Sequence, residues 1–228
     1  NLIENIYDRN SAEFREFERY LQISQLCYLK TLNTVKSQKG LYSKICVSLL
    51  RYTNEVRVDK AFYDAGMACK EEGWHNMAFI FLNRYLDIAE AIDDPDTGAA
   101  ALGDNTDFEL TDIPTYDIPL PESNFTREEE RDKIRDWVLE VSMNQRIEQR
   151  VSMSNCENCG AEVYCASLNC GSCGFRWEPC LVTGFPVYRH NFASCTNCDR
   201  PGNKADWNAY LSNNTNCPWC GSIQSSIY

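Results

Sequence analysis

Histidine is almost missing from this sequence of 228 residues: only His75 and His190 are present. A catalytic zinc keeps an open position and often uses histidine, so that chemistry has little to build on. Proline is absent from the first 92 residues, and glycine occurs there only at Gly40, Gly66 and Gly73, which leaves long stretches free to be helical. No run of about 18 apolar residues exists, so no helical membrane span is expected. Positive charge is scarce, with 22 Lys and Arg against 33 Asp and Glu and a net charge of −11. That balance argues against nucleic acid or an anionic membrane as the main partner. No basic-then-apolar signal segment opens the chain, and an opening Asn1 rather than Met reads as a segment of something longer. The length fits one large or two modest domains.

What is present in excess is cysteine. Eight of the thirteen form four Cys-x2-Cys pairs, Cys156/Cys159, Cys170/Cys173, Cys195/Cys198 and Cys217/Cys220. Each such turn aims two sulfurs at one point, and two turns make a four-sulfur cage suited to zinc. Glycine follows three of the pairs (Gly160, Gly174, Gly221), where a missing side chain lets backbone N–H groups turn toward thiolates. Tight spacing of this kind fits metal better than a disulfide framework and places the chain in a reducing, cytosolic setting. Pairing the first turn with the second and the third with the fourth keeps the closed loops short. A cross-brace that links the first and third turns is the competing topology. Either way the expectation is two closed structural zinc ions, with iron in a rubredoxin-like site as the other metal option. Cys27, Cys46, Cys69 and Cys180 read as buried thiols.

Apolar residues recur at helical spacing from Phe14 through Leu50, and Gly40 is expected to break a first long helix from a second. Residues 58–73 and 74–92 read as a helical hairpin. Small residues at Gly66, Gly73 and Ala78 let its helices approach closely, in the pattern of one tetratricopeptide (TPR) repeat. One repeat cannot bury its own faces, so residues 1–92 read as the end of a TPR-like α-solenoid, with an ordinary bundle as the alternative. Residues 93–125 form an acidic, proline-rich extended segment. Asp93, Asp94, Asp96, Asp104, Asp107, Glu109, Asp112, Asp117 and Glu122 lie in it with no Lys or Arg. Phe108, Ile113, Tyr116, Ile118 and Leu120 are its expected anchors on the helices, and a basic partner or simple solvation its two outcomes. Thr126-x-x-Glu129 reads as a capping box opening a connecting helix over residues 126–152, which hinges the last part to the rest.

Residues 153–228 hold ten cysteines, four basic residues and five acids, without the basic face of a nucleic-acid-binding ribbon. Residues 177–188 read as a β-hairpin around Thr183 and Gly184, residues 203–211 as a short helix, and Cys217-Pro-Trp-Cys220 as a last loop. Loop, hairpin, helix and loop is the element order of RING and U-box modules. These have no catalytic residues of their own and hold a ubiquitin-conjugating enzyme in a shallow apolar groove. Trp207 and Pro218 fit its contact positions, with Pro179 and Pro186 in the hairpin; packing of Trp207 in a small core is the other reading. The expected fold class is mostly α, a TPR-like solenoid end plus a small α+β zinc-binding U-box/RING-like C-terminal domain.

Four segments, VDKAFY (58–63), GWHNMAFIFLNRY (73–85), RDWVLEVSM (135–143) and PCLVTGFP (179–186), resemble the C-terminal region of a known family. It is that of the largest TPR-rich subunit of intraflagellar-transport complex B. The resemblance covers nearly the whole chain. It implies a non-enzymatic scaffold of ciliary transport trains, located in the cilium or flagellum and the cytoplasm near the basal body. It also implies other train subunits as partners and no direct membrane contact. A terminal module acting on ubiquitin or a conjugating enzyme, as a U-box-type ligase, is the alternative it carries.

Overall fold

The computed structural model describes residues 11–95, 98, 102–144 and 146–227. Residues 1–10 of the expected helical region, Asp96 of the acidic segment and Tyr228 of the last module lie outside the described residues. About half of the described residues are helical, and four short strands occur among them.

Helix α1 (Ala12–Thr31) starts at Ser11, whose hydroxyl accepts the Phe14 N–H at 3.1 Å. It stops at Leu32, where the backbone becomes extended. A single turn, α2 (Asn33–Lys36), then leads to α3 (Lys39–Leu49) and a 3-10 turn over Leu50–Tyr52. The break therefore falls at Leu32 and again at Ser37 and Gln38, not at Gly40. Gly40 sits in the first turn of α3, where backbone N–H groups lack intrahelical partners and a glycine costs little. Helices α4 (Val58–Glu72) and α5 (His75–Asp93) form the hairpin. Gly73 closes α4 with φ 87, and the Trp74 N–H reaches back to the Cys69 carbonyl at 2.9 Å.

Gly66 sets the approach of these two helices. A Cβ placed there would lie 2.6 Å from the Leu82 side chain and 3.2 Å from its backbone nitrogen. Alanine favours helix by about 1 kcal/mol over glycine, while overpacking costs about 1–3 kcal/mol. Gly66→Ala is therefore expected to lower stability despite the better helix former, as a drop in the urea midpoint at unchanged slope.

The acidic segment lies against α4 and α5. Phe108 and Ile113 are buried beside Phe62, and Arg84 donates to the Leu102 and Asp104 carbonyls at 3.2 Å. Tyr116 and Leu120, also expected as anchors, are instead exposed. The segment ends at α6 (Glu128–Ser142), whose Ile134, Val138 and Val141 face the same core.

This helix is shorter than expected, and no capping box opens it. Its N-cap is Arg127 without a side-chain bond, because the Thr126 hydroxyl pairs with the buried Tyr85 hydroxyl. It ends at Ser142 because the apolar stripe runs out: Asn144 follows where the face next needs an apolar side chain.

The cysteine-rich part contains two antiparallel ribbons. Strand β1 (Met153–Asn155) pairs with β2 (Glu162–Tyr164), with Ser154 opposite Val163. Strand β3 (Phe192–Ser194) pairs with β4 (Pro201–Asn203), which runs into α7 (Lys204–Leu211). This part is not hung on a hinge. Tyr164, Ala166 and Phe185 complete the core of α4, α5 and α6. Cys180, Leu181, Val182, Trp207 and Tyr210 form a second core with Ile23, Leu26 and Leu29 of α1 and Ile45 and Leu49 of α3. Among the described residues, no helix is long and apolar enough to cross a membrane.

Candidate metal centres

All four Cys-x2-Cys turns fold through one hydrogen-bond pattern. The first cysteine's N–H donates to the carbonyl five residues on: Cys156 to Ala161, Cys170 to Phe175, Cys195 to Arg200 and Cys217 to Ser222, at 2.8–3.1 Å. Its carbonyl accepts from the residue after the second cysteine, at 2.9–3.0 Å. That residue has a left-handed backbone: Gly160, Gly174 and Gly221 at φ 71–75, and Asp199 at φ 54. Glycine reaches this conformation without steric cost, and aspartate is among the few others that visit it.

The turns meet in two groups. Cys156, Cys159, Cys170 and Cys173 form one and Cys195, Cys198, Cys217 and Cys220 the other, each with all four sulfurs within 4.8 Å of one another. The first turn thus joins the second, and the third joins the fourth. Cys156 Sγ lies 3.8 Å from Cys173 Sγ, and Cys159 Sγ 3.8 Å from Cys170 Sγ. In the second group Cys195–Cys220 is 3.6 Å and Cys198–Cys217 is 3.9 Å. A disulfide would need about 2.05 Å. Sulfurs placed tetrahedrally about 2.3 Å from one zinc stand about 3.8 Å apart, so both groups fit that ion.

The outer contacts favour thiolates. The Asn197 and Trp219 N–H groups point at Cys195 Sγ and Cys217 Sγ, each at 3.4 Å. The Asn158 amide donates to Cys173 Sγ at 3.5 Å. With four cysteine donors, a bound zinc has no open position, so the chemistry it supplies is a cross-link between two turns. His190 is not among these ligands; it stacks on Tyr188 and lies 3.6 Å from Glu157.

A fifth turn escaped the reading of residues 177–188 as a plain β-hairpin. Cys180-x2-Thr183-Gly184 repeats the same pattern: the Cys180 N–H donates to Phe185, the Gly184 N–H returns to Cys180, both at 2.7 Å, and Gly184 has φ 74. Threonine replaces the second thiol, and hydrogen bonds close the turn. Cys180 Sγ accepts the Asn203 N–H at 3.3 Å, and the Thr183 hydroxyl donates to Asp206 at 3.0 Å. Asp206 in turn holds Lys44 of α3 at 2.6 Å. Gly184 sits so close to α3 that a Cβ there would come 2.9 Å from Ser48. The signal available in the sequence was the shared Cys-x2-x-Gly spacing.

The four residues expected to contact a partner do not form one surface. Trp207 is fully buried, because the face of α7 it shares with Asp206 and Tyr210 is the one turned to α3. Pro186 is buried and Pro179, bridged to it, is half-buried. Pro218 is half-buried beside Trp219, and both line an open groove of about 330 Å³ with Leu21, Gln25 and Tyr28 of α1. Arg200 lies 3.7 Å from the centre of the Trp219 ring and pairs with Glu18 at 2.6 Å.

No protein-family model matches the chain. Individual proteins do. It is 41% identical over 250 aligned positions to intraflagellar transport protein 172 homolog of Mus musculus, covering 100% of this chain and 13% of that protein. Intraflagellar transport protein 172 of Chlamydomonas reinhardtii is 41% identical over 167 positions, covering 72% of this chain and 9% of that protein. Intraflagellar transport protein osm-1 of Caenorhabditis elegans is 34% identical over 191 positions, covering 80% and 10%. The chain thus spans 13% or less of the length of these relatives. With this identity sustained from end to end, the chain belongs to the intraflagellar transport protein 172 family and corresponds to the C-terminal region of that subunit.

Proposed function

We propose that this chain is a non-enzymatic scaffold segment of intraflagellar transport, acting in the cilium or flagellum through contacts with other transport subunits. The observation that carries the transport role is the identity to intraflagellar transport proteins along the whole chain. Two zinc ions hold its last part, one on Cys156, Cys159, Cys170 and Cys173 and the other on Cys195, Cys198, Cys217 and Cys220. The sulfur spacing of 3.6–3.9 Å supports this assignment. The α4–α5 hairpin, closed at Gly66, supports reading the helices as the TPR-like end of a solenoid. The zinc ions are structural: they let a small, strand-poor module hold its shape and stay docked on α1 and α3.

The test is made in the full-length protein of a ciliated cell. Serine in place of all four cysteines of the second group should shorten or abolish cilia. Cilia of normal length, with the altered protein present at normal level, would overturn the reading.

A ubiquitin-system role is the second reading. It is favoured by the order of turn, ribbon, helix and turn from Cys180 to Cys220, with a U-box-like closure of the Thr183 turn by hydrogen bonds instead of metal. Its contact residue is then Pro218, since Trp207 has no exposed surface. Pro218→Ala should leave the melting curve intact and abolish ubiquitin discharge from a charged conjugating enzyme. Discharge that is absent in the parent chain, or unaffected by the change, ends this reading.

A further inference from the structure

Helix α1 carries two apolar faces. Ile23, Leu26 and Leu29 are buried in the core shared with α3 and the cysteine-rich part. On the opposite side Phe14, Phe17, Leu21, Ser24, Tyr28 and Thr31 follow one another at alternating steps of three and four residues, which makes one stripe along the helix. None of the six is charged. Phe17 is 44% exposed, Leu21 38% and Tyr28 60%, while Phe14 is half-buried. The stripe borders the groove of about 330 Å³ that Leu21, Gln25 and Tyr28 form with Pro218 and Trp219 of the last cysteine turn. A helix at the surface of a molecule needs one apolar face; a helix with two opposite ones is built to lie between neighbours.

We infer that this stripe docks an α-helix from the part of the same subunit that precedes this chain in the full-length protein, with the groove beside Pro218 receiving one of its side chains. The step pattern selects a helix. Alternation of three and four is the seam of helix-on-helix packing, and Ser24 and Thr31 are small enough to let a second backbone come close. The position selects the preceding part. The chain corresponds to the C-terminal region of relatives of which it spans 13% or less, so most of the subunit lies before it, on the side of α1, the first described element. Consecutive elements are usually neighbours in space, and a short tether holds the second one at an effective concentration of about millimolar. A stripe without ion pairs to fix a free partner is sufficient for a tethered one. The docking needs only that the subunit continues; the cilium-length test above reads the zinc module and the test below reads α1, so each fails alone.

The test uses the full-length subunit. Phe17→p-benzoylphenylalanine places a photo-cross-linker on the stripe. Irradiation is expected to join it to a peptide that precedes this chain, in a product of monomer mass. Products that stay within these 228 residues, that join two copies or that capture another protein would overturn the proposal, as would the lack of any product. Hydrogen exchange gives a second readout. Phe17→Gln with Tyr28→Gln removes both rings without adding charge, and glutamine is the better helix former. The amides of residues 12–31 should exchange about tenfold faster in the full-length variant than in the full-length parent. The same pair of changes in the 228-residue chain should alter exchange less than about twofold, since no neighbour is lost there. Equal acceleration in both proteins would place the effect inside α1 itself, and unchanged exchange in the full-length variant would leave the stripe free; either result overturns the docking.

Discussion

Replacing Cys195 or Cys217 with serine lowers the thermal midpoint of the whole chain by about 10 °C. The size follows from the proposed metal. A structural zinc supplies about 10–16 kcal/mol of binding free energy to a small domain, so one of four thiolates accounts for roughly 3–4 kcal/mol. In a chain of this length each kcal/mol moves the midpoint by about 2–4 °C. The reach follows from where these sulfurs sit. Cys195 and Cys217 belong to the core shared by Leu26 and Leu29 of α1, Ile45 of α3 and Trp207 of α7, so loosening the cage loosens the helices. Cys156→Ser should behave differently. Cys156 and Cys170 pack with Val163 and Trp177 in a satellite cluster flanked by Phe175 and Tyr188, and Cys159 and Cys173 are exposed. Its loss frees the ribbon around residues 153–177 to proteolysis and moves the main transition less. Calorimetry of both variants, with limited proteolysis, checks the order; equal midpoints for the two would contradict it.

Arg51→Ala is the second large effect, and it acts through the junction rather than the metal. Arg51 is 8% exposed and spans the two halves of the molecule. One end of its guanidinium donates to the Ala166 carbonyl at 2.7 Å and the other to the Gly184 carbonyl of the metal-free turn. Asp112, 4.0 Å away, accepts the Leu168 N–H at 2.9 Å and completes the node. Alanine leaves two buried carbonyls without that donor and the Asp112 carboxylate without its counter-charge, which costs about 3–5 kcal/mol. The pH dependence has a fixed sign. Burial already raises the Asp112 carboxyl above its ordinary value, against the pull of Arg51. Without Arg51 it rises further. A carboxyl whose folded value exceeds the unfolded one of about 3.9 stabilises as pH falls and loses that contribution as pH rises through the folded value. The deficit of Arg51→Ala is thus greatest near neutral pH and shrinks toward pH 4. Urea melts at several pH values measure it, and a deficit that stays constant or grows on acidification would exclude this role for Asp112.

The sites were far more legible than the way they are assembled. A Cys-x2-Cys turn is local: four residues, one left-handed backbone and two hydrogen bonds fix where both sulfurs point, so spacing alone foretells it. The α4–α5 hairpin was legible for a similar reason, since Gly73 ends one helix through its own backbone and Gly66 marks the contact. What failed depended on distant partners. Thr126 has the spacing of a cap, but Tyr85, 41 residues away, takes its hydroxyl. Thr183 completes a turn only because Asp206, 23 residues on, accepts from it and is itself held by Lys44. Trp207 read equally as a surface contact or a core residue, because nothing in its own segment shows that α3 covers that face of α7. The continuous helix expected up to residue 152 assumed a hinge, whereas Tyr164 and Ala166 tie the following ribbon into the main core.

Zinc K-edge X-ray absorption on the chain purified under reducing conditions, with the metal content of the same sample, tests the central claim most directly. The account predicts two zinc ions per chain, each with four sulfur neighbours at about 2.3 Å and no nitrogen or oxygen in the first shell. A folded, metal-free chain, or an average shell containing oxygen or nitrogen, would contradict it.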